Sequence, residues 1–283
     1  MESPLVTVIC LCFNHERFVK ESIESILLQT HPRIQVVVVD DGSTDRSVEI
    51  IRETIKSHPE IPFLSLKENF GNCRAFNKGF AWAKGDYIID LAADDVLMPH
   101  RIAEGLKTME SCGASYGVNF SDAELIDEAG NHIGFHSDRF PHASIPHGDI
   151  YRDLIARYFI SSPTMMMRRS VLKKLDGYDE SLAYEDFDFW IRSSREFKYC
   201  YTAEPLVKRR MVKTSMAGNQ YKPQSLQMVS TFRVCEKIIL LNRNREERKA
   251  LGRRIRYEMK RALEVRAWSL AFNYFKLLVR NGT

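Results

Sequence analysis

Apolar positions follow two alternating rhythms through the first hundred residues. Residues 5–12 form a continuous β-rich apolar run, while 18–28 places Val19, Ile23, Ile26 and Leu27 at helical spacing. Residues 34–39 are almost wholly apolar, the mark of a strand buried on both faces in a parallel sheet. Ser43, Thr44 and Asp45 offer N-caps to a helix over 47–57. A short strand over 63–66, a helix over 73–84 ending at Gly85 and a strand over 87–91 continue the series. Strand–helix alternation of this kind predicts an α/β fold: a mostly parallel central sheet flanked by helices, with right-handed crossovers.

Beyond Met98 the rhythm loosens. The spacing predicts a helix over 101–110, a strand over 115–120 and a hairpin turn at 127–131. It also predicts a mobile loop over 136–149 around Pro141, Pro146 and Gly148, and a core strand at Met165, Met166 and Met167. A short helix over 169–175 closes at Gly177, and 184–195 carries an acidic cluster and then an amphipathic helix. After about Pro205 the composition shifts, and 224–283 reads as helix throughout. Leu251, Ile255, Met259, Ala262, Arg266 and Leu270 mark one stripe there. The expected organisation is a catalytic-type domain over 1–215 and a helical C-terminal extension over 216–283.

Composition narrows the class. Hydrophobic residues at 44% and charged residues at 28% specify a folded chain, and a net charge of +4 is too small to argue for nucleic acid. The six cysteines are scattered without metal-ligand spacing and read as reduced thiols. The start Met1-Glu2-Ser3-Pro4 is unlike a secretory leader, and no apolar run approaches the ~20 residues of a membrane span. The expectation is a cytoplasmic protein with at most peripheral contact on the inner face of a membrane. The basic C-terminal helices permit three readings: a stripe packed on the catalytic part or on a second subunit, an interfacial helix at anionic lipid, or a nucleic-acid surface. Trp268, Phe272, Tyr274 and Phe275 near Arg266, Lys276 and Arg280 encourage the second, and no reader motif accompanies the third. The eight histidines read mostly as surface or turn residues.

Three acidic clusters carry the candidate chemistry. Asp40-Asp41-Gly42-Ser43 follows the second strand, Asp94-Asp95 follows the fourth, and Glu185-Asp186-Phe187-Asp188 opens a helix. Adjacent carboxylates repel and are poorly solvated at strand ends unless a cation, ligand or donor is present. Turn formation explains the first cluster equally well, an N-cap before a helix past Pro99 the second, and the helix dipole the third. Tyr178, Tyr184, Phe187 and Trp190 are either sugar-stacking rings or core.

Taken in order, the segments resemble the inverting family 2 glycosyltransferases of the GT-A fold, of the bacterial, non-processive type. The resemblance runs over roughly residues 5 to 215. Its motifs are Val6-Thr7-Val8-Ile9-Cys10-Leu11-Cys12-Phe13-Asn14, Val39-Asp40-Asp41-Gly42-Ser43-Thr44-Asp45, Asn69-Phe70-Gly71 with Arg74, Ala75 and Asn77, and Ala83-Lys84-Gly85-Asp86-Tyr87-Ile88. Asp94-Asp95, Gly177-Tyr178-Asp179-Glu180 and Glu185-Asp186-Phe187-Asp188-Phe189-Trp190-Ile191-Arg192 complete them.

The resemblance implies a nucleotide-diphospho-sugar transferase. Cys12, Phe13 and Asn14 would line the nucleotide pocket, Asp41 would read the base and Arg74 would lie near the pyrophosphate or base. Asp94 would bind the ribose side, Asp95 would bind Mn²⁺ or Mg²⁺, and Asp186 would be the catalytic base. The donor would be a nucleoside diphosphate sugar, with UDP favoured and thymidine and guanosine open. The acceptor would be a saccharide or lipid-linked saccharide in surface polysaccharide or glycoconjugate assembly. Many relatives carry an Asp where Ala92 stands, so a lean metal site is expected. Many carry a histidine where 209–215 has none, leaving Arg210 or Lys213 to face the pyrophosphate. No Gln-x-x-Arg-Trp box is present, in keeping with single addition. A nucleotidyltransferase, or a non-catalytic sugar-nucleotide-binding or scaffold protein of the same fold, are the alternatives.

Overall fold

The computed structural model describes residues 3–140, 144–212, 221–222 and 225–282. Its first half alternates as the sequence predicts: β1 (Val6–Cys12), α1 (Val19–Leu27), β2 (Ile34–Asp40), α2 (Ser47–Thr54), β3 (Phe63–Ser65), α3 (Asn72–Phe80) and β4 (Tyr87–Ala92). These four strands lie in the order β3-β2-β1-β4, all parallel. Cys12 pairs with Asp40 and Leu11 with Ala92, so β1, β2 and β4 end side by side. Open α/β sheets bind ligands beyond such carboxyl ends.

The second half is mixed. It contains β5 (Val96–Leu97), α4 (Arg101–Cys112), β6 (Tyr116–Ile126), β7 (His132–Phe135), α5 (Tyr151–Ala156), β8 (Met166–Arg168), α6 (Arg169–Lys174), α7 (Asp186–Ser194) and β9 (Lys198–Arg210). The sheet continues from β4 through β8, β6 and β9 to β5, with β7 on β6. β6 and β9 are parallel, whereas β8, β7 and β5 run antiparallel to their neighbours. Parallel order therefore belongs to the first half and to one later pair.

Strand periodicity splits the core. Val6, Val8, Cys10 and Cys12 of β1 face one side with Ile23, Ile26, Val36 and Val38. Ile9 and Leu11 face the other with Val37, Phe76 and Phe187. That second core continues without a break into α8 (Leu226–Leu241), α9 (Arg245–Glu264) and α10 (Trp268–Asn281) through Val234, Ile255 and Tyr274. The expected boundary at 215/216 lies outside the described residues.

Several expectations change. Residues 136–149 are partly anchored where described: His136–Arg139 is a 3₁₀ turn, and Gly148 bridges Tyr199. Pro141 lies outside the described residues. His136 is buried, with Nε2 3.0 Å from the Phe159 carbonyl, and burial pulls its pKa down to about 4. Tyr178, Phe187 and Trp190 are core, as is the run Met165 to Met167, and the Tyr184 hydroxyl bonds Thr231 at 2.7 Å. No helix begins at Asp94 or Asp95: β5 follows them and α4 starts only at Arg101, so capping does not explain that pair.

Candidate active site

Each acidic cluster is held by a distinct device. At the end of β2 the chain turns at Gly42, where φ is +74° and an added Cβ would lie 2.4 Å from the Glu68 backbone. The turn sends Asp41 toward the loop before α3. There its two carboxylate oxygens accept the backbone N–H groups of Phe70 and Gly71, each at 2.9 Å. Burial pushes the Asp41 pKa up against the pull of these donors. Asn14, in the left-handed region at φ +57°, accepts the Thr44 N–H at 2.8 Å and ties the end of β1 to the same turn. Phe13 beside it is partly exposed, but Cys12 is buried, and burial raises its thiol to about 12. Its carbonyl is also committed, accepting the Asp41 N–H at 2.8 Å.

At the end of β4, Asp95 is buried with Oδ1 accepting the Arg210 N–H at 2.8 Å. Burial, reinforced by Asp94, holds its carboxyl well above the usual range. The His15 Nε2 stands 3.9 Å from Asp94 Oδ2. The Arg210 side chain is committed within the protein. Its guanidinium donates to the Asp94 carbonyl at 3.0 Å, the Asp127 carbonyl at 3.2 Å and Glu21 at 2.6 Å, over the Phe18 ring. It is a buried strut for the Asp94–Asp95 turn, and Lys213 lies outside the described residues.

A cavity of about 70 Å³ opens between these strand ends and α7. Leu11, Asn72, Asp90, Ala92, Asp95 and Glu185 line it, together with Ser162, Pro163 and Met165. Asp95 and Glu185, ninety residues of sequence apart, thus meet, and Asp186 is next in the chain at the first turn of α7. The Asp186 Oδ1 is buried without a hydrogen-bond partner among the described residues. Glu185 accepts the Asn72 side-chain amide. Burial, then Asp186 and Asp90, push its carboxyl well above the ordinary value. Asp188 lies apart: it is buried and paired with Arg192 at 2.6 Å and Lys237 at 2.5 Å, so it secures α7 to α8. Arg74 is half-exposed on α3, 3.1 Å from Glu180.

Sequence reasoning missed Asp90 and Asn72. Asp90 has a signal in retrospect, because a lone acid inside an apolar strand lies two residues from Ala92, on the same face. Its Oδ2 accepts the Tyr178 hydroxyl at 3.1 Å, and burial with Asp186 nearby pushes its pKa up to about 7. Folding therefore takes up a proton at Asp90 between about pH 4 and pH 7. Its contribution to stability is present at low pH and lost as pH rises through 7. Asp90→Asn removes that loss. It is expected to raise the thermal midpoint at pH 8, by roughly 2–4 °C per kcal/mol for a large domain, with most of the gain gone at pH 5. Scanning fluorimetry across that range checks it, and an equal shift at both pH values would contradict the assignment.

The donor set suits a hard divalent cation shared with a substrate. Asp95 and Asp94 offer carboxylate oxygens, which Mg²⁺ and Mn²⁺ prefer. Among the described residues no group of three or more His, Cys, Asp or Glu converges to hold a metal unaided. Phosphate and water oxygens would have to complete the shell.

Known proteins share this framework. The family model described as Glycosyl transferase family 2 matches residues 7–176. An uncharacterized glycosyltransferase of Methanocaldococcus jannaschii is 32% identical over 82% of this chain and 80% of its own length. Among solved structures, Staphylococcus aureus TarS 1-349 in complex with UDP-GlcNAc aligns over 92% of this chain and 73% of that one, with a TM-score of 0.67 at 17% identity. The Pyrobaculum calidifontis mannosyltransferase PcManGT, in complex with GDP-Man and Mn²⁺, aligns over 99% and 87%, with a TM-score of 0.66 at 15% identity. At those identities the two structures establish the shared fold.

Proposed function

The chain belongs to glycosyl transferase family 2, and from that premise we propose that it is an inverting, metal-assisted transferase that moves one sugar from a nucleoside diphosphate donor, preferably UDP-linked, to an acceptor hydroxyl. The observation that carries the reading is the buried Asp186 Oδ1, which accepts no N–H among the described residues and belongs to the residue after Glu185, whose side chain lines a cavity with Asp95 and Asp90. A carboxylate oxygen that no N–H satisfies keeps a lone pair with which to accept a proton.

Asp186 accepts the proton of the acceptor hydroxyl. That oxygen attacks the anomeric carbon from the face opposite the phosphate. The carbon–oxygen bond to phosphate breaks, its electron pair leaves with the nucleoside diphosphate, and the anomeric centre inverts in one displacement. Glu185 and Asp90, with carboxyl pKa values raised by burial and by Asp186, stay protonated further up the pH scale than ordinary acids. Their neutral forms limit negative charge around Asp186. Asp41 fixes the loop over the nucleotide and keeps lone pairs for a base N–H, and Asp94 takes the ribose side. Asp95 would hold Mn²⁺ or Mg²⁺, which supplies charge neutralisation for the departing diphosphate. TarS with UDP-GlcNAc and PcManGT with GDP-Man and Mn²⁺ support a nucleotide-sugar donor. A saccharide or lipid-linked saccharide, in surface polysaccharide or glycoconjugate assembly, is the acceptor proposed.

Scanning fluorimetry with UDP, GDP and dTDP, with and without Mn²⁺, tests the donor site. UDP with Mn²⁺ is expected to give the largest stabilisation. Asp95→Asn is expected to erase the Mn²⁺-dependent increment while keeping the metal-free shift. No shift with any nucleotide would contradict the proposal.

A further inference from the structure

The last helix carries an exposed apolar stripe that the transferase site does not use. Trp268, Phe272, Phe275 and Val279 recur at four- and three-residue spacing along α10 and are 64%, 57%, 52% and 66% exposed. The opposite face is committed: Ala271, Tyr274 and Leu277 are buried in the main core. Tyr274 thus leaves the aromatic set that the sequence grouped with Trp268, and Val279 joins it. α10 is anchored by one face and offers the other, along a line of about 1.5 Å per residue.

Charge identifies what that face meets. Residues 245–282 hold eleven Lys and Arg against four Asp and Glu, more positive charge than the +4 of the whole chain. No acid occurs between 265 and 282. Lys276 lies 4.5 Å from the Phe272 ring centroid, and Lys276, Arg280 and Arg266 are all exposed. Aromatic and aliphatic side chains on one line, with cations beside it, suit a helix lying in the headgroup region of a bilayer. A second copy would bring the same positive hairpin against this one, whereas an anionic headgroup layer complements it. No helix among the described residues is long and apolar enough to cross a membrane, so contact by this stripe would be in the plane of the surface.

We propose that α10 is a peripheral membrane-docking helix that seats Trp268, Phe272, Phe275 and Val279 in an anionic lipid surface, with Lys276, Arg280 and Arg266 at the phosphates. This surface is independent of the nucleotide site. The test is flotation of the full chain with vesicles of phosphatidylcholine alone or mixed with phosphatidylglycerol. Co-flotation is expected with the anionic vesicles at low salt, weaker at high salt and absent with phosphatidylcholine alone. Trp268 fluorescence should shift to the blue and be quenched by brominated lipid, and Trp268→Phe should remove that component. Phe272→Ser/Phe275→Ser should weaken binding by ~100-fold or more, since each of the two rings contributes more than one decade of affinity. Lys276→Glu/Arg280→Glu should abolish the preference for phosphatidylglycerol. Unchanged circular dichroism and thermal midpoint of each variant show that the fold survives. Absence of flotation, or flotation unaltered in the serine variant, overturns the proposal. A dimer in sedimentation that the serine variant dissolves also overturns it, assigning the stripe to self-association.

Discussion

Asp186→Asn is expected to lower turnover about 10²–10⁴-fold, the usual contribution of a positioned general base, while the affinity for the donor nucleotide stays essentially unchanged. The amide keeps the size of the carboxylate and removes its ability to take a proton. The Asp186 Oδ1 accepts no N–H among the described residues, and the Asn amide oxygen can keep the contact that the neighbouring Glu185 carboxyl makes with Asp186. The neighbouring acids serve as controls because their settings differ. Glu185 accepts the Asn72 amide and is pushed toward its protonated form, which Gln mimics, so Glu185→Gln should cost far less turnover. Asp188 is enclosed by Arg192 and Lys237, so Asp188→Asn should show first as lost stability. Initial rates with saturating donor, alongside nucleotide titration, separate these outcomes. If Asp186→Asn retains near-normal turnover while Glu185→Gln collapses it, the base is misassigned.

Local signals account for what the sequence disclosed. The parallel strands β1, β2 and β4 announce themselves because both faces are buried and their residues are apolar. The acid pairs stand out because they interrupt that pattern where the strands end. Long-range pairing is what the chain conceals. β9 contains Glu204, Pro205, Lys208, Arg209 and Arg210, a composition that reads as the end of the sheet. It forms because β6 supplies a partner, and Pro205 is tolerated where the register slips opposite Asp122. Arg210 looked like a free cation near the phosphates, but its role depends on Glu21 and the Asp94 and Asp127 carbonyls, distant segments that only the fold assembles. Asp90 was legible as an oddity in an apolar strand. Its function was not, because Tyr178 and Asp186 reach it from nearly a hundred residues away.

Glu258→Ala is expected to destabilise the protein by about 3–5 kcal/mol, a large share of a typical folding free energy, because it strands a buried guanidinium. On the apolar stripe of α9, Arg254 and Glu258 are both almost wholly buried and pair at 3.2 Å. Arg254 also donates to the Ile155 carbonyl at 2.9 Å, and its guanidinium lies 4.1 Å from the Tyr158 ring centroid and 5.2 Å from that of Phe187. The Tyr221 hydroxyl donates to Glu258 at 3.3 Å. Burial pushes the Glu258 carboxyl up, and Arg254 draws it back down. Replacing both partners by apolar residues, Arg254→Met/Glu258→Leu, should recover much of the loss, since neither charge is then left unpaired. Urea unfolding of the two single variants and the double variant measures the coupling, and additive losses would show that the pair is not a unit. The consequence reaches the site. Phe187 follows Asp186 in α7, and Arg254 packs over its ring, so the start of α7 rests on a side chain from the helical extension. Loss of the pair should therefore lower transferase activity under conditions where the chain is still folded. On this argument the C-terminal helices form part of the support for Asp186, the carboxylate proposed as the base.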